Sequence, residues 1–259
     1  MSLAYSFWQC VRISGICGPS SPQCAPMLPI RNPLRIGSIG AHCGQMNVVI
    51  TGGPSSEPID QVRLITNRST GELGVILAEA FWRRGHQVTL FLGRLSQFRH
   101  PQASYFDRNE DLQRMLREME ESKSVDIVLH AAALADFQVT AVRARDDDVG
   151  QKKIGSEHQM LSLHLTSKPK VIAGLRAYFP NAFIVGWKLE LEGSRDDLIR
   201  EATRQLEKNR TDACVINGPA FGDGFGFCTA KGLQASFLSK PELASFLVEW
   251  GEGEVRGLP

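Results

Sequence analysis

The sequence has no run of eighteen or so apolar residues, so nothing in it reads as a membrane-crossing helix. Neither charge dominates: 29 Lys and Arg stand against 28 Asp and Glu, a formal net charge of +1. No general pull toward nucleic acid or anionic lipid is expected, and any bound anion must be held by a local constellation. The six cysteines include no C-x-x-C pair. Cys10, Cys17 and Cys24 recur every seven residues, whereas zinc ligands come in pairs two to four residues apart. Unpaired reduced thiols suit a cytoplasmic protein, which is the expected location. Residues 1–45 lack periodicity and are rich in Pro, Ser and Gly. Arg12 follows Phe7-Trp8, the reverse of a signal peptide's order. This stretch reads as an N-terminal extension or a mis-called start, with one domain over 46–259.

From Met46 onward the pattern alternates. Asn47-Val48-Val49-Ile50-Thr51 is a short continuous apolar run ending in Gly52-Gly53-Pro54, as a buried parallel strand feeding a loop would be. Leu73, Ile76, Leu77, Ala80 and Phe81 then recur at helical spacing, and Gly85 stops that helix. Further strands are expected over Val88–Leu92, Val125–His130, Phe183–Gly186 and Ala213–Ile216. Helices are expected around Leu112–Met119 and over Pro169–Phe179, the latter with proline in its first turn. Ser194 with Asp197 forms a capping box for another helix, and Ser239 with Glu242 starts the last. Strands alternating with helices imply an α/β fold: a doubly wound, Rossmann-like, mostly parallel sheet covered on both faces in a single domain. Ligands in such sheets sit beyond the carboxyl ends of the strands.

Six segments carry candidate chemistry. The amides around Gly52 and Gly53 can approach phosphate closely, although T-G-G also serves plain tight turns. No third glycine completes G-x-G-x-x-G. In Thr66–Gly74, Ser69 or Thr70 can cap the following helix, Gly71 and Gly74 allow close backbone approach, and Asn67 offers a neutral donor and acceptor. The small residues His130-Ala131-Ala132-Ala133-Leu134-Ala135 leave room for a flat ring or ribose, followed by Asp136 and Phe137. His130, on an apolar strand, reads as a core histidine rather than a base. Gly150–Ser156 is a polar segment with Lys152 and Lys153, either solvated or able to close over a triphosphate. Gly186-Trp187-Lys188-Leu189-Glu190 and Asp212–Asn217 complete the set.

In order, these pieces resemble the phosphopantothenate–cysteine ligase family. Asn67-Arg68-Ser69-Thr70-Gly71-Glu72-Leu73-Gly74 is similar to its N-x-S-(S/T)-G-x-x-G signature. Ala131–Phe137 resembles A-A-V-x-D-(F/W), Lys153-Ile154 the mobile-loop K-I, Gly186–Glu190 G-F-K-L-E, and Asp212–Asn217 D-x-(I/V)-x-x-N. The resemblance implies a stand-alone ligase that joins 4′-phosphopantothenate to L-cysteine through an acyl-nucleotide, using CTP or ATP with Mg²⁺, as a homodimer acting on small molecules. It places the acyl group on Asn67 and substrate phosphate or carboxylate on Gly52, Gly53, Ser69, Thr70 and Gly71. The nucleotide falls to Ala133, Asp136, Phe137, Lys188 and Asn217, with Lys153 on its phosphates. It assigns no metal ligands. Gly150-Gln151 replaces the first part of K-x-K-K, and Trp187 stands where Phe is commoner. A short-chain NAD(P)-dependent oxidoreductase is the rival reading, and it needs a Tyr four residues before a Lys. Tyr5, Tyr105 and Tyr178 precede Gln9, Asn109 and Ala182 instead. A non-catalytic nucleotide-binding domain is the third reading.

Overall fold

Met46 is buried, and β1 (Asn47–Gly52) follows it as a strand apolar on both faces. The computed structural model describes residues 44–120, 124–145, 147–150 and 152–257; most of the N-terminal stretch, with Cys10, Cys17, Cys24 and Cys43, lies outside them. After β1 come the hairpin β2 (Ser56–Pro58) and β3 (Leu64–Thr66), α1 (Glu72–Arg83), β4 (Gln87–Gly93), β5 (Ala103–Phe106) and α2 (Asn109–Glu120). They are followed by β6 (Ile127–His130), β7 (Phe137–Ala144), β8 (Asp147–Asp148), β9 (Ser162–Ser167), α3 (Ile172–Tyr178) and β10 (Phe183–Leu189). The chain continues through α4 (Arg195–Asn209), β11 (Ala213–Asn217), β12 (Phe225–Thr229), β13 (Gly232–Phe237) and α5 (Lys240–Arg256).

Eight strands form the main sheet in the order β13-β12-β11-β10-β6-β1-β4-β5. The six from β11 to β5 are parallel, and β12 and β13 add an antiparallel edge. The winding reverses between β1 and β6, the place where a doubly wound sheet opens a crevice at its carboxyl edge. Alternate residues of each strand point to opposite faces. Val48 and Ile50 pack with Leu77, Phe81, Leu243 and Leu247 of α1 and α5. Val49 packs on the other face with Leu112, Leu116 and Leu175 of α2 and α3, and Cys214 and Ile216 meet Leu198, Ala202 and Leu206 of α4.

The expected helices and parallel strands are present, with informative differences. Pro169 lies before α3, not in its first turn, because the chain stays extended there: Lys168 N–H donates to Asp136 O at 2.8 Å and prolongs the β7–β9 pairing. Three strands not anticipated, β8-β7-β9, form a separate small antiparallel sheet. Its core is Val139, Val142 and Ile154, with Ile59 and Val149 against them. The Ser194–Asp197 capping box is present, and Ser239 Oγ caps α5 by accepting from Glu242 N–H.

Candidate active site

The crevice between β1 and β6 is closed at its floor by a ladder. Thr51 lies beside His130 in register; beyond them Ala131 N–H donates to Thr51 O (3.0 Å) and Ala133 N–H to Gly53 O (2.9 Å). Ser55 N–H donates back to Ala133 O (3.2 Å), and the fully buried Ser55 Oγ accepts from Ala135 N–H at 2.8 Å. Asn67 arrives from the end of β3 and lies across this loop. Its Nδ2 donates to Ala133 O at 3.1 Å and Leu134 O at 2.9 Å. Two carbonyl acceptors fix which end of the amide is nitrogen, since a flip would set oxygen against oxygen. An asparagine side chain can serve as donor or acceptor; here both donors are spent and Oδ1 remains.

The helix that follows does not start as expected. Its N-cap is Gly71, in the left-handed region at φ 78°, rather than Ser69 or Thr70. Thr70 Oγ1 accepts from Glu72 N–H at 3.3 Å, and Ser69 N–H turns back to Asn67 O. No side chain caps α1 from Gly71, and the N–H groups of Leu73 and Gly74 have no partner among the described residues. Such an end favours an anion. Ser96 explains why glycine occupies two of these positions. A Cβ on Gly53 would fall 2.0 Å from Ser96 Oγ, and one on Gly71 would fall 2.6 Å from it. The Ser96 hydroxyl is buried without a partner among the described residues. Gly52 stands against Gly74, so β1 and the first turn of α1 touch backbone to backbone.

Next to the crevice, on the α3 and α4 face, lies a cleft of about 520 Å³ lined by Lys168, Lys170, Lys188, Arg204 and Lys208, with Glu201 and Gln205. Lys170 reaches Asp136 at 3.2 Å, Lys188 reaches Glu190 at 2.7 Å, and Arg204 pairs with Glu201. Lys208 has no partner among the described residues. Of these cations only Lys188 was singled out from sequence. Arg204 and Lys208 are four apart on α4, a like-charge pair that costs stability in an isolated helix and is therefore a legible signal. Lys168 is buried beside them, paired with Glu57 and, at 2.8 Å, with Glu110; the two carboxylates hold its ammonium charged and raise its pKa against the opposing effect of burial.

The structure thus brings together Gly52, Gly53, Asn67, Ser69, Thr70, Gly71, Ala133 and Asp136 on one rim. Phe137 is half exposed beside Asp136, and Asn217 ends β11 next to Glu190, whose N–H it accepts. Lys153 is not brought to them. Neighbouring Ile154 is anchored at the hairpin turn, its N–H on Asp60 Oδ2 and its carbonyl on Arg63. That end lies roughly 13 Å along the strand from Asn67 at about 3.3 Å per residue. Asp212 corrects the expectation that its motif lies wholly at the carboxyl edge. It precedes β11 at the opposite edge, where its carboxylate takes Arg176 (2.6 Å) and Ile184 N–H (2.7 Å). Among the described residues no group of three His, Cys, Asp or Glu side chains is placed to hold a metal, and no helix is long and apolar enough to cross a membrane.

His130 is the buried partner of Thr51, Nδ1 to Oγ1 at 2.8 Å, and burial pushes its pKa down to about 4. The unfolded chain takes up a proton near pH 6.5 and the folded protein does not. Stability therefore falls between pH 6.5 and 4, by on the order of 3 kcal/mol from this group. His130→Gln should reduce the loss of unfolding free energy between pH 7 and pH 5, read from urea titrations, by about 2 kcal/mol; an unchanged pH dependence would place the acid sensitivity elsewhere.

A family model described as DNA/pantothenate metabolism flavoprotein C-terminal domain matches residues 43–240, well over half of the chain. The chain belongs to this family. The coenzyme A biosynthesis bifunctional protein CoaBC of Thermococcus kodakarensis is 36% identical over 178 residues, 68% of this chain and 42% of that protein. The chain therefore spans less than half the length of that curated relative. The crystal structure of the DNA/pantothenate metabolism flavoprotein from Streptococcus pneumoniae superposes with a TM-score of 0.70 at 27% identity, covering 81% of this chain and 99% of that one. A Cab2 H337A mutant in complex with phosphopantothenate-cysteine shares the fold, with a TM-score of 0.64 at 17% identity over 82% of this chain and 88% of that one. The stretch matched by the flavoprotein C-terminal domain family holds every candidate site residue from Gly52 to Asn217.

Proposed function

We propose that this domain joins 4′-phosphopantothenate to L-cysteine through an acyl-nucleotide. The observation that carries the reading is the rim itself. An uncapped helix N-terminus, a loop of small residues pinned by Asn67 and a cationic cleft adjoin at the switch point. In the first step a carboxylate oxygen of phosphopantothenate attacks the α-phosphorus, the α–β phosphorus–oxygen bond breaks, and pyrophosphate leaves. In the second the cysteine amine attacks the acyl carbon, the acyl carbon–oxygen bond breaks, the nucleoside monophosphate departs, and the amine's proton is lost to water. No side-chain nucleophile enters, so catalysis is positioning plus charge stabilisation.

On this reading Gly52, Gly53, Ser69, Thr70 and Gly71 hold phosphate or carboxylate. Ala133, Asp136, Phe137, Lys188 and Asn217 frame the nucleotide. Lys188, Arg204 and Lys208 offset its phosphate charge, and Lys208→Ala tests that role through the nucleotide KM. Lys153 joins them when its segment closes over the rim. Mg²⁺ would enter with the nucleotide as part of that substrate and offset the charge of its phosphates, with CTP preferred and ATP the alternative. Relatives named for coenzyme A biosynthesis and a fold neighbour complexed with phosphopantothenate-cysteine support this substrate class. A homodimer is part of the proposal, supported by Leu163 and Leu165 exposed on the small sheet. Light scattering at a single protomer's mass would remove it.

The test is a panel of CTP and ATP against phosphopantothenate and cysteine with Mg²⁺. Pyrophosphate release that requires nucleotide and phosphopantothenate, with cysteine completing turnover, is the expected result. Turnover of a nicotinamide cofactor instead, or nucleotide binding without any release, would overturn the proposal in favour of a reductase or a binding domain.

A further inference from the structure

Asn109, the first residue of α2, is buried to 3% exposure and donates Nδ2 to Ala135 O at 2.8 Å, while its Oδ1 has no partner among the described residues. An orphaned buried acceptor is destabilising, so a residue that merely filled space there would be better apolar. The amide is there for its donor. Together with Asn67 it completes a pattern along the loop. The carbonyls of Ala133, Leu134 and Ala135 are all pinned by side-chain amides. The N–H groups of Ala133 and Ala135 are taken by Gly53 O and Ser55 Oγ. The N–H groups of Leu134 and Asp136 have no partner among the described residues. In a planar trans peptide the N–H points opposite the C=O of the same unit. Pinning Ala133 O and Ala135 O therefore turns the Leu134 and Asp136 amides away from the loop's own braces.

We propose that Asn109 is a positioning residue that presents the free amides of Leu134 and Asp136 to the oxygen of the acyl group as it gains charge under attack. The inference rests on the acyl-transfer reading above and adds to it the donors that receive the oxyanion. Two backbone amides two residues apart are a common form of such a cradle, and they act without reorganising when the charge develops. Asn109 touches no substrate; it acts through the Ala135–Asp136 peptide.

The experiment compares wild type with Asn109→Ala and the isosteric Asn109→Asp. Losing an oxyanion donor costs about 10²–10³ in kcat, and misaiming the cradle should cost on the order of tenfold or more. Both variants should lose kcat for ligation at saturating substrates, with KM for CTP or ATP within about twofold of wild type. Amide hydrogen exchange, read on the free protein, should accelerate in the 131–137 segment of Asn109→Ala. Wild-type kcat with unchanged exchange would overturn the proposal. So would a loss of kcat matched by a loss of nucleotide binding and of melting temperature, the mark of a merely structural residue. If wild type itself does not ligate, the acyl-transfer reading falls, and exchange still decides whether Asn109 sets the loop.

Discussion

Asn67→Asp should lower ligation by about a hundredfold or more, with a much smaller loss of CTP or ATP binding because Lys188 and Asn217 hold the nucleotide from outside the loop. The substitution changes one atom. In wild type the Nδ2 of Asn67 serves the carbonyls of Ala133 and Leu134. A carboxylate there places an anionic oxygen about 3 Å from two carbonyl oxygens, which removes two hydrogen bonds and adds repulsion. The loop must open, and the groups it presents move with it. Asn67→Ala removes the donor without adding repulsion, and water can reach the freed carbonyls because Asn67 is exposed. The expected order of kcat is therefore Asn, then Ala, then Asp. Equal losses in Ala and Asp would instead mean that Asn67 acts by direct contact with the acyl group.

Lys168→Met should cost about 3–5 kcal/mol of folding stability, measured by urea unfolding at pH 7. Lys168 and Glu57 are both nearly out of water, with Glu110 completing the group at its exposed edge. Removing the ammonium leaves Glu57 buried beside no counter-charge. The group ties β2, the first turn of α2 and the linker after β9, three segments that wall the crevice. Adding Glu57→Gln to Lys168→Met should recover most of the loss, because replacing both charges is nearly neutral where removing one is not. Additive losses in the double variant would show that the side chains matter for packing rather than charge.

The parallel sheet was legible because each inner strand is buried on both faces and so reads as an unbroken apolar run, as in Val48–Ile50 or Ala213–Ile216. Caps at Ser194 and Ser239 were legible because their bonding partners lie three residues away. The small sheet was not: β9 is exposed along its whole length and buries neither face, and the pairing of β7 shifts register between Val139 and Ala141. The site divided along the same line. The glycine loop, the stretch around Asn67 and the Ala131–Phe137 turn are each a short run of neighbouring residues, so a local pattern can single each of them out. Asn109 and Ser55 act on Ala135 across 26 and 80 residues, and the cationic cleft gathers side chains from Lys168 to Lys208; no local pattern carries either. Gly71 displaced the expected serine or threonine cap because the space beside it is filled by Ser96, 25 residues further on.

What the rim is proposed to do is hold a carboxyl–phosphate anhydride until an amine displaces it. Oxygen-18 in the carboxylate of phosphopantothenate follows that bond directly. After turnover with cysteine and the active nucleotide, mass spectrometry should find one labelled oxygen in the phosphate of the nucleoside monophosphate and none in pyrophosphate. Label in pyrophosphate, or a monophosphate without label despite full conversion, would contradict the account.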